Sequence, residues 1–327
     1  MNAQNSYPFQ READGSLRLT RHADVMRALL EHDLFSSSVS AKHPAIPNGM
    51  DPPEHTAFRA LTDRYFTREI VDAFEPRCRE TVRRLLPQRR DPRFAHRLAV
   101  RLLCDFLGWK EDMDEALSTW FFAHEAAVAA GDREGLLENA AVLAELVGRE
   151  LGARRTRGDG SDADLTARLL HDRVEGRPLT DAEIVSILRN WTAGEVGTMA
   201  KSFETVLEFL EAEPAWQDWL RKHPERTNAF TDELLRLRAP LPDNRRVTAC
   251  PVTLAGEDLP AGQKLLIDWA AANRDPAAFE DAERFDPDRD ARNNLLYGAG
   301  IHACPGATLA RMELRVLIEE RLRETPA

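Results

Sequence analysis

The sequence predicts a mainly α-helical fold with one small β region in its second half. Three observations carry this. Apolar residues recur at helical spacing through most of residues 22–240. A single long run, 181–212, opens on a helix-capping signature. Apolar–polar alternation around Gly and Pro is confined to a short segment near the start and to residues 245–268.

Taken in order, residues 17–35 give a short strand (SLRLT) and then an amphipathic helix (ADVMRALLEHD). Residues 53–90 read as two helices and 93–108 as another. From 113 to 155, two helices with Ala- and Leu-rich faces meet at a tight Gly131-Asp132 turn. Thr156–Asp162 (TRGDGSD) is the one loop-like stretch. Thr180 is a good N-cap with Glu183 three residues on, the two partners of a capping box. Helices follow at 214–222 and 225–238, then a small antiparallel sheet over 245–268. An irregular stretch at 273–303 is dense in Asp, Asn, Arg and Pro, and a final helix covers 307–323.

The 327 residues suffice for one large domain or two ordinary ones, and we expect a single domain over 1–327. With 43% hydrophobic and 30% charged residues the composition is that of a folded, water-soluble protein. No stretch approaches the roughly 18–20 apolar residues of a membrane helix, and MNAQNSYPFQREADG has no features of a secretion signal. Four cysteines (Cys78, Cys104, Cys250, Cys304) lack paired or metal-finger spacing, which points to free thiols and the cytoplasm. A net charge of -11 argues against nucleic-acid binding, which needs a basic face.

The chemistry concentrates around Cys304. Three glycines (Gly298, Gly300, Gly306) and Pro305 surround it, and a helix begins just after. Glycine lets backbone pass close to a flat ligand. A sulfur near a helix N-terminus favours thiolate, a soft metal ligand. The alternative is a small core residue in a Gly-rich turn. His55 and Arg59, four apart on a helix, project from one face and can grip a single anionic group; otherwise they are a surface pair.

Tyr297-Gly-Ala-Gly300-Ile-His302-Ala-Cys304-Pro-Gly306 resembles the haem-binding loop of the cytochrome P450 family. Four further matches stand in family order: Asp51-Pro-Pro-Glu54-His55-Thr-Ala-Phe-Arg59, Glu233-Leu-Leu-Arg236, Asn273-Arg274-Asp275-Pro276 and Phe285-Asp286-Pro287-Asp288-Arg289. The resemblance implies a cytochrome P450-like fold, shortened at both termini, with haem b as cofactor and Cys304 as its iron ligand. His55, Arg59, Arg246 and His302 would contact the haem propionates, with Arg245 the alternative to Arg246. Tyr297, Gly298 and Gly306 would shape the loop. Glu233, Arg236 and Arg289 would form a buried network holding the cysteine loop, structural rather than catalytic.

On the long helix the resemblance places Ala193 and Gly194 beside the haem, with Gly194 leaving room for dioxygen. The family's next acid and threonine are replaced by Val196 and Gly197. Glu195 lies one residue early and Thr198 one late, and each residue turns a helix by about 100°. A local π-bulge could restore both; Thr198 and Glu195 either relay protons or are ordinary helix residues. The chain starts close to its first strand and ends 23 residues after Cys304; the stretch between Phe35 and Asp51 is short, and Tyr297 stands where phenylalanine is usual. These departures predict a compact, more open substrate pocket, or one completed by another subunit. Its candidate lining is Trp191, Ala193 and Gly194, the 36–50 loop, and Trp120, Phe121 and Phe122.

The implied activity is dioxygen-dependent hydroxylation or other oxidation of a small organic substrate, with electrons from a separate ferredoxin and ferredoxin reductase. Two alternatives stay open. One is a peroxide-driven or non-oxygen-activating haem-thiolate enzyme, and the other a non-catalytic haem binder.

Overall fold

The computed structural model describes residues 9–39, 45–157 and 164–324. In chain order its elements begin with β1 (Phe9–Arg11), β2 (Leu17–Leu19), α1 (His22–Leu30), β3 (Phe35–Ser36), α2 (Glu54–Thr62), α3 (Arg68–Leu85) and α4 (Phe94–Leu107). Next come α5 (Met113–Ala130), α6 (Arg133–Arg157), α7 (Leu165–Leu169), β4 (Arg173–Val174), β5 (Arg177–Pro178) and α8 (Asp181–Ala212). The remainder is α9 (Pro214–Lys222), α10 (Thr227–Arg238), β6 (Asp243–Thr248), β7 (Val252–Leu254), β8 (Glu257–Leu259), β9 (Lys264–Asp268), α11 (Trp269–Ala272) and α12 (Ala307–Glu324). Among the described residues no helix is long and apolar enough to cross a membrane. The chain divides into two compact units, Met1–Thr56 with Phe209–Ala307, and Ala57–Glu208 with Thr308–Ala327.

In the first unit the sheet is larger than the sequence suggested. Five strands run in the order β1-β2-β9-β6-β3. The expected antiparallel pairing holds for β6 with β9 and for the β7–β8 hairpin, but β2 lies parallel to β9, with Leu17 opposite Leu265. Strands of two or three residues, such as β1 and β3, are too short to show a period of two. Leu17, Leu19, Leu265 and Ile267 alternate onto one buried face. There they meet Val25, Ala28 and Leu29, the apolar stripe of α1, with Phe35 and Trp269.

The Glu233 network forms as expected in its ion pairs, though it holds a different segment. Arg236, fully buried, donates to both Glu233 oxygens at 2.7 and 2.9 Å, and Arg289 reaches Glu233 at 3.0 Å. Arg236 also donates to the Asn273 and Ala282 carbonyls, and Arg289 to those of Glu280 and Asp281. The cluster therefore ties α10 to the irregular 273–289 stretch, upstream of the cysteine segment.

In the second unit the helices end where the sequence signals them. Gly131, at φ +63°, caps α5 and turns the chain into α6. The Thr180 amide donates to Glu183 Oε2 at 2.8 Å, and the Glu183 amide returns a bond to Thr180 Oγ1 at 3.3 Å, so the capping box opens α8. Along its whole length α8 is α-helical, without the π-bulge. Helix α6 continues through Thr156 and Arg157, and residues 158–162 of the expected loop lie outside the described residues.

Candidate haem site

The cysteine segment is built by close backbone approach. Gly298 and Gly300 sit at φ +67° and +71°. A Cβ on Gly300 would stand 2.5 Å from the Leu29 carbonyl oxygen, so only glycine lets the loop lie against the end of α1. The Cys304 amide donates to the Tyr297 carbonyl at 2.8 Å, closing the loop on itself. Cys304 is exposed, three residues before α12 begins, and Gly306 is half-buried beside it. Cys78 and Cys104, by contrast, are buried, and burial pushes both thiols well above the ordinary range.

Two imidazoles distant in sequence come together in the same unit. The His55 and His302 rings lie 4.4 Å apart, inclined at 61°. Strand alternation decides between the two arginines, since Arg245 is exposed and Arg246 is only 6% exposed. Arg246 donates to the Arg245 carbonyl, and no carboxylate among the described residues lies within ion-pair distance of it. Asp51, the acid whose charge reaches it, is already held by the Ser36 hydroxyl and the Ser37 amide. Burial lowers the Arg246 pKa to about 10, so the side chain remains a cation at neutral pH. Arg59, one turn beyond His55, is engaged by Asp63 at 2.5 Å.

In the second unit, Ala193 and Gly194 are exposed, and a Cβ on Gly194 would meet nothing within 4 Å. Val196 is fully buried, and a Cβ on Gly197 would stand 3.0 Å from the Phe121 ring. These two positions thus pack the helix and carry neither acid nor hydroxyl. Thr198 follows Gly194 by four residues and Glu195 by three, so the three share one side of α8. Burial pushes Glu195 up to about 7, with Glu313 acting in the opposite sense. Glu313, which sequence reasoning missed, is raised well above the ordinary carboxylate range by burial and by the Glu195 charge. Its signal was an acid set among Leu309, Ala310, Val316 and Leu317, all buried at helical spacing. Of the expected pocket aromatics, Trp120 and Phe121 are buried and Phe122 is half-exposed; Trp191 packs on Tyr65 and Phe66. Residues 40–44 of the expected 36–50 lining lie outside the described residues.

A family model described as Cytochrome P450 matches residues 152–324, more than half of the chain. The chain belongs to the cytochrome P450 family. This P450 is 31% identical to the erythromycin C-12 hydroxylase of Saccharopolyspora erythraea, over 96% of its own length and 83% of the relative's. It is equally 31% identical to the vitamin D(3) 25-hydroxylase of Pseudonocardia autotrophica, over 94% and 81%. Among solved structures it matches a mutant of P450 EryK in complex with erythromycin B, with TM-score 0.84 at 30% identity over 96% and 84%. Ligand-free cytochrome P450 TbtJ1 gives 0.85 at 29% identity over 98% and 87%. The protein is accordingly a P450-type monooxygenase, and the family cofactor is haem. The residues present fit that group. An exposed sulfur suits iron, and a buried guanidinium without an acid suits a carboxylate.

Proposed function

We propose that this P450 binds haem b through Cys304 as the iron ligand, with Arg246, His55 and His302 on the haem carboxylates. The observation that carries the reading is Arg246, a buried cation that lacks an acidic partner among the described residues. Arg59 would join the carboxylate contacts by giving up Asp63. Tyr297, Gly298 and Gly306 shape the backbone against the flat ring. When bound, the haem held by Cys304 would supply the oxygen activation. The chain's own work is to hold that group, keep water out and move protons. Ala193 and Gly194 leave space along α8, while Thr198 and Glu195 carry protons.

The substrate is a small organic molecule, a class supported by the erythromycin, mycinamicin IV and vitamin D(3) of the relatives' names. Electrons come from a separate ferredoxin and its reductase in the cytoplasm, and residues 1–327 act as one haem-thiolate domain. The test is the carbon-monoxide spectrum of reduced protein. A thiolate signature is expected in the wild type and should vanish in Cys304→Ser. Retention in the variant overturns the ligand assignment. A ligand screen on the ferric Soret band then identifies substrates.

Val196 and Gly197 favour a second reading, in which peroxide replaces dioxygen and electrons. Turnover with peroxide alone that exceeds turnover with reduced ferredoxin plus oxygen would select it.

A further inference from the structure

Helix α8 carries a cation that its own unit leaves without an acid. Arg189 is half-buried, and no hydrogen bond or ion pair from a described residue reaches its guanidinium. Burial lowers its pKa, and no carboxylate acts against that effect. Other buried arginines of the same unit are satisfied from within. Arg101 holds Asp105 at 3.2 Å and Asp114 at 2.5 Å, and Arg154 holds Glu150 at 2.5 Å and Asp164 at 2.8 Å. A guanidinium partly withdrawn from water without such partners is destabilising, and a bound anion would offset that.

The surroundings of Arg189 say what kind of anion. Arg189, Ala193 and Gly197 follow one another at four-residue steps and lie along one side of α8. Ala193 is exposed, and Gly197 meets α5, where the Phe121 ring would stand 3.0 Å from a Cβ. His124 lies one turn beyond Phe121 on the same side of α5, stacked on Trp120 at 5.4 Å and 18°. The Trp120 indole N–H is fixed in turn by donating to the Asn139 carbonyl at 2.9 Å. These two helix sides present aromatic rings, small residues and an uncompensated cation. Burial holds His124 below the usual imidazole range, with Glu125 opposing and Arg189 adding to the effect. The ring is therefore neutral at neutral pH and has one N–H to donate.

We infer that Arg189 binds the carboxylate of an organic acid whose apolar body lies along Ala193 and the aromatic side of α5, which makes carboxylic acids the substrate class of this P450. A planar guanidinium takes a carboxylate through two parallel N–H···O bonds and so fixes which end of the molecule stands at Arg189. Ala193 is one turn, about 6 Å, further along the helix axis. The body of the molecule, not its carboxylate, is thus offered for oxidation. The inference rests on the reading above of Ala193 and Gly194 as the haem side of α8, and adds the group that selects the substrate.

The test is binding of dodecanoic, phenylbutanoic and naphthylacetic acids, each beside its methyl ester, to the full-length, haem-loaded protein. Binding is followed by the ferric Soret shift and by equilibrium dialysis. At least one acid is expected to bind about tenfold or more tighter than its ester, with a Soret shift. Arg189→Leu should remove that preference, and Arg189→Lys, which keeps the charge, should retain part of it. The carbon-monoxide spectrum reports whether each variant holds its haem. Esters that bind as tightly as all three acids in the wild type, or a preference that survives Arg189→Leu, overturn the inference and leave the haem ligand in place. Arg189-dependent binding by dialysis without a Soret shift overturns the substrate role, because the anion then lies away from the iron. A wild type without the thiolate spectrum overturns the haem reading, and the substrate role with it.

Discussion

A guanidinium buried without an acid is a cost that the haem-free chain carries. Arg246 is lowered to about 10 because burial penalises its charge, and Asp51 only partly offsets this. Replacing it should therefore separate folding from cofactor retention. Haem-free Arg246→Met is expected to melt at or above the wild-type temperature. Its haem-loaded form should release haem roughly tenfold faster or more, as befits a charged hydrogen bond of about 1.5–3 kcal/mol. Calorimetry of the apoprotein and haem transfer to an acceptor protein check the two halves. A large drop in apoprotein stability would make Arg246 a structural residue instead. Gly300 behaves in the opposite way. Its positive φ and its approach to the Leu29 carbonyl leave no space for a methyl group. Gly300→Ala should cost more than about 2 kcal/mol by denaturant unfolding, with or without haem.

At the scale of elements, helices that carry their own stop and start signals were legible, and α8 shows why. The Thr180–Glu183 box is written in four residues, and the helix runs over Asp181–Ala212 as its spacing predicts. Arg177 adds an ion pair to Glu183 at 2.6 Å, and this bond, together with the Thr180 amide, lowers Glu183 to about 2. Stability from a lowered carboxylate is present above its unfolded value near 4.5 and is lost as pH falls through about 2. Glu183→Gln should accordingly cost about 1 kcal/mol at neutral pH, a modest figure because Arg177 is half-exposed. The penalty should shrink below pH 4.5 and disappear near 2 in a series of urea unfolding curves. The partner of Glu195 was less legible. Glu313 sits on the apolar stripe of α12 and reads locally as a misplaced charge. Only packing of α8 against it in space reveals a second carboxyl.

At the scale of the whole chain, what escaped sequence reading was pairing between distant segments. The Gly-rich build of the cysteine loop and the helical content follow from local chemistry, and the ion pairs of the Glu233 network from the family resemblance. The five-stranded sheet does not, because β2 and β3 find their partners β9 and β6 more than two hundred residues later. Nothing in Leu17–Leu19 specifies a parallel neighbour at Leu265–Ile267, and nothing in Phe35–Ser36 an antiparallel one at Val247 and Thr248. Closing so long a separation comes late and leaves apolar edges waiting, which is where aggregation competes with folding. A chain ending at residue 240 keeps β1, β2, α1 and β3 but loses β6 and β9, so Leu17, Leu19 and Phe35 lose the strands and core residues that cover them. That fragment should be recovered mainly in the insoluble fraction, and co-expression with residues 241–327 should return part of it to solution by restoring the missing strands. A fragment that stays soluble and monomeric on its own, with protected amides in β2, would mean that the N-terminal strands find order without the distant half of their sheet.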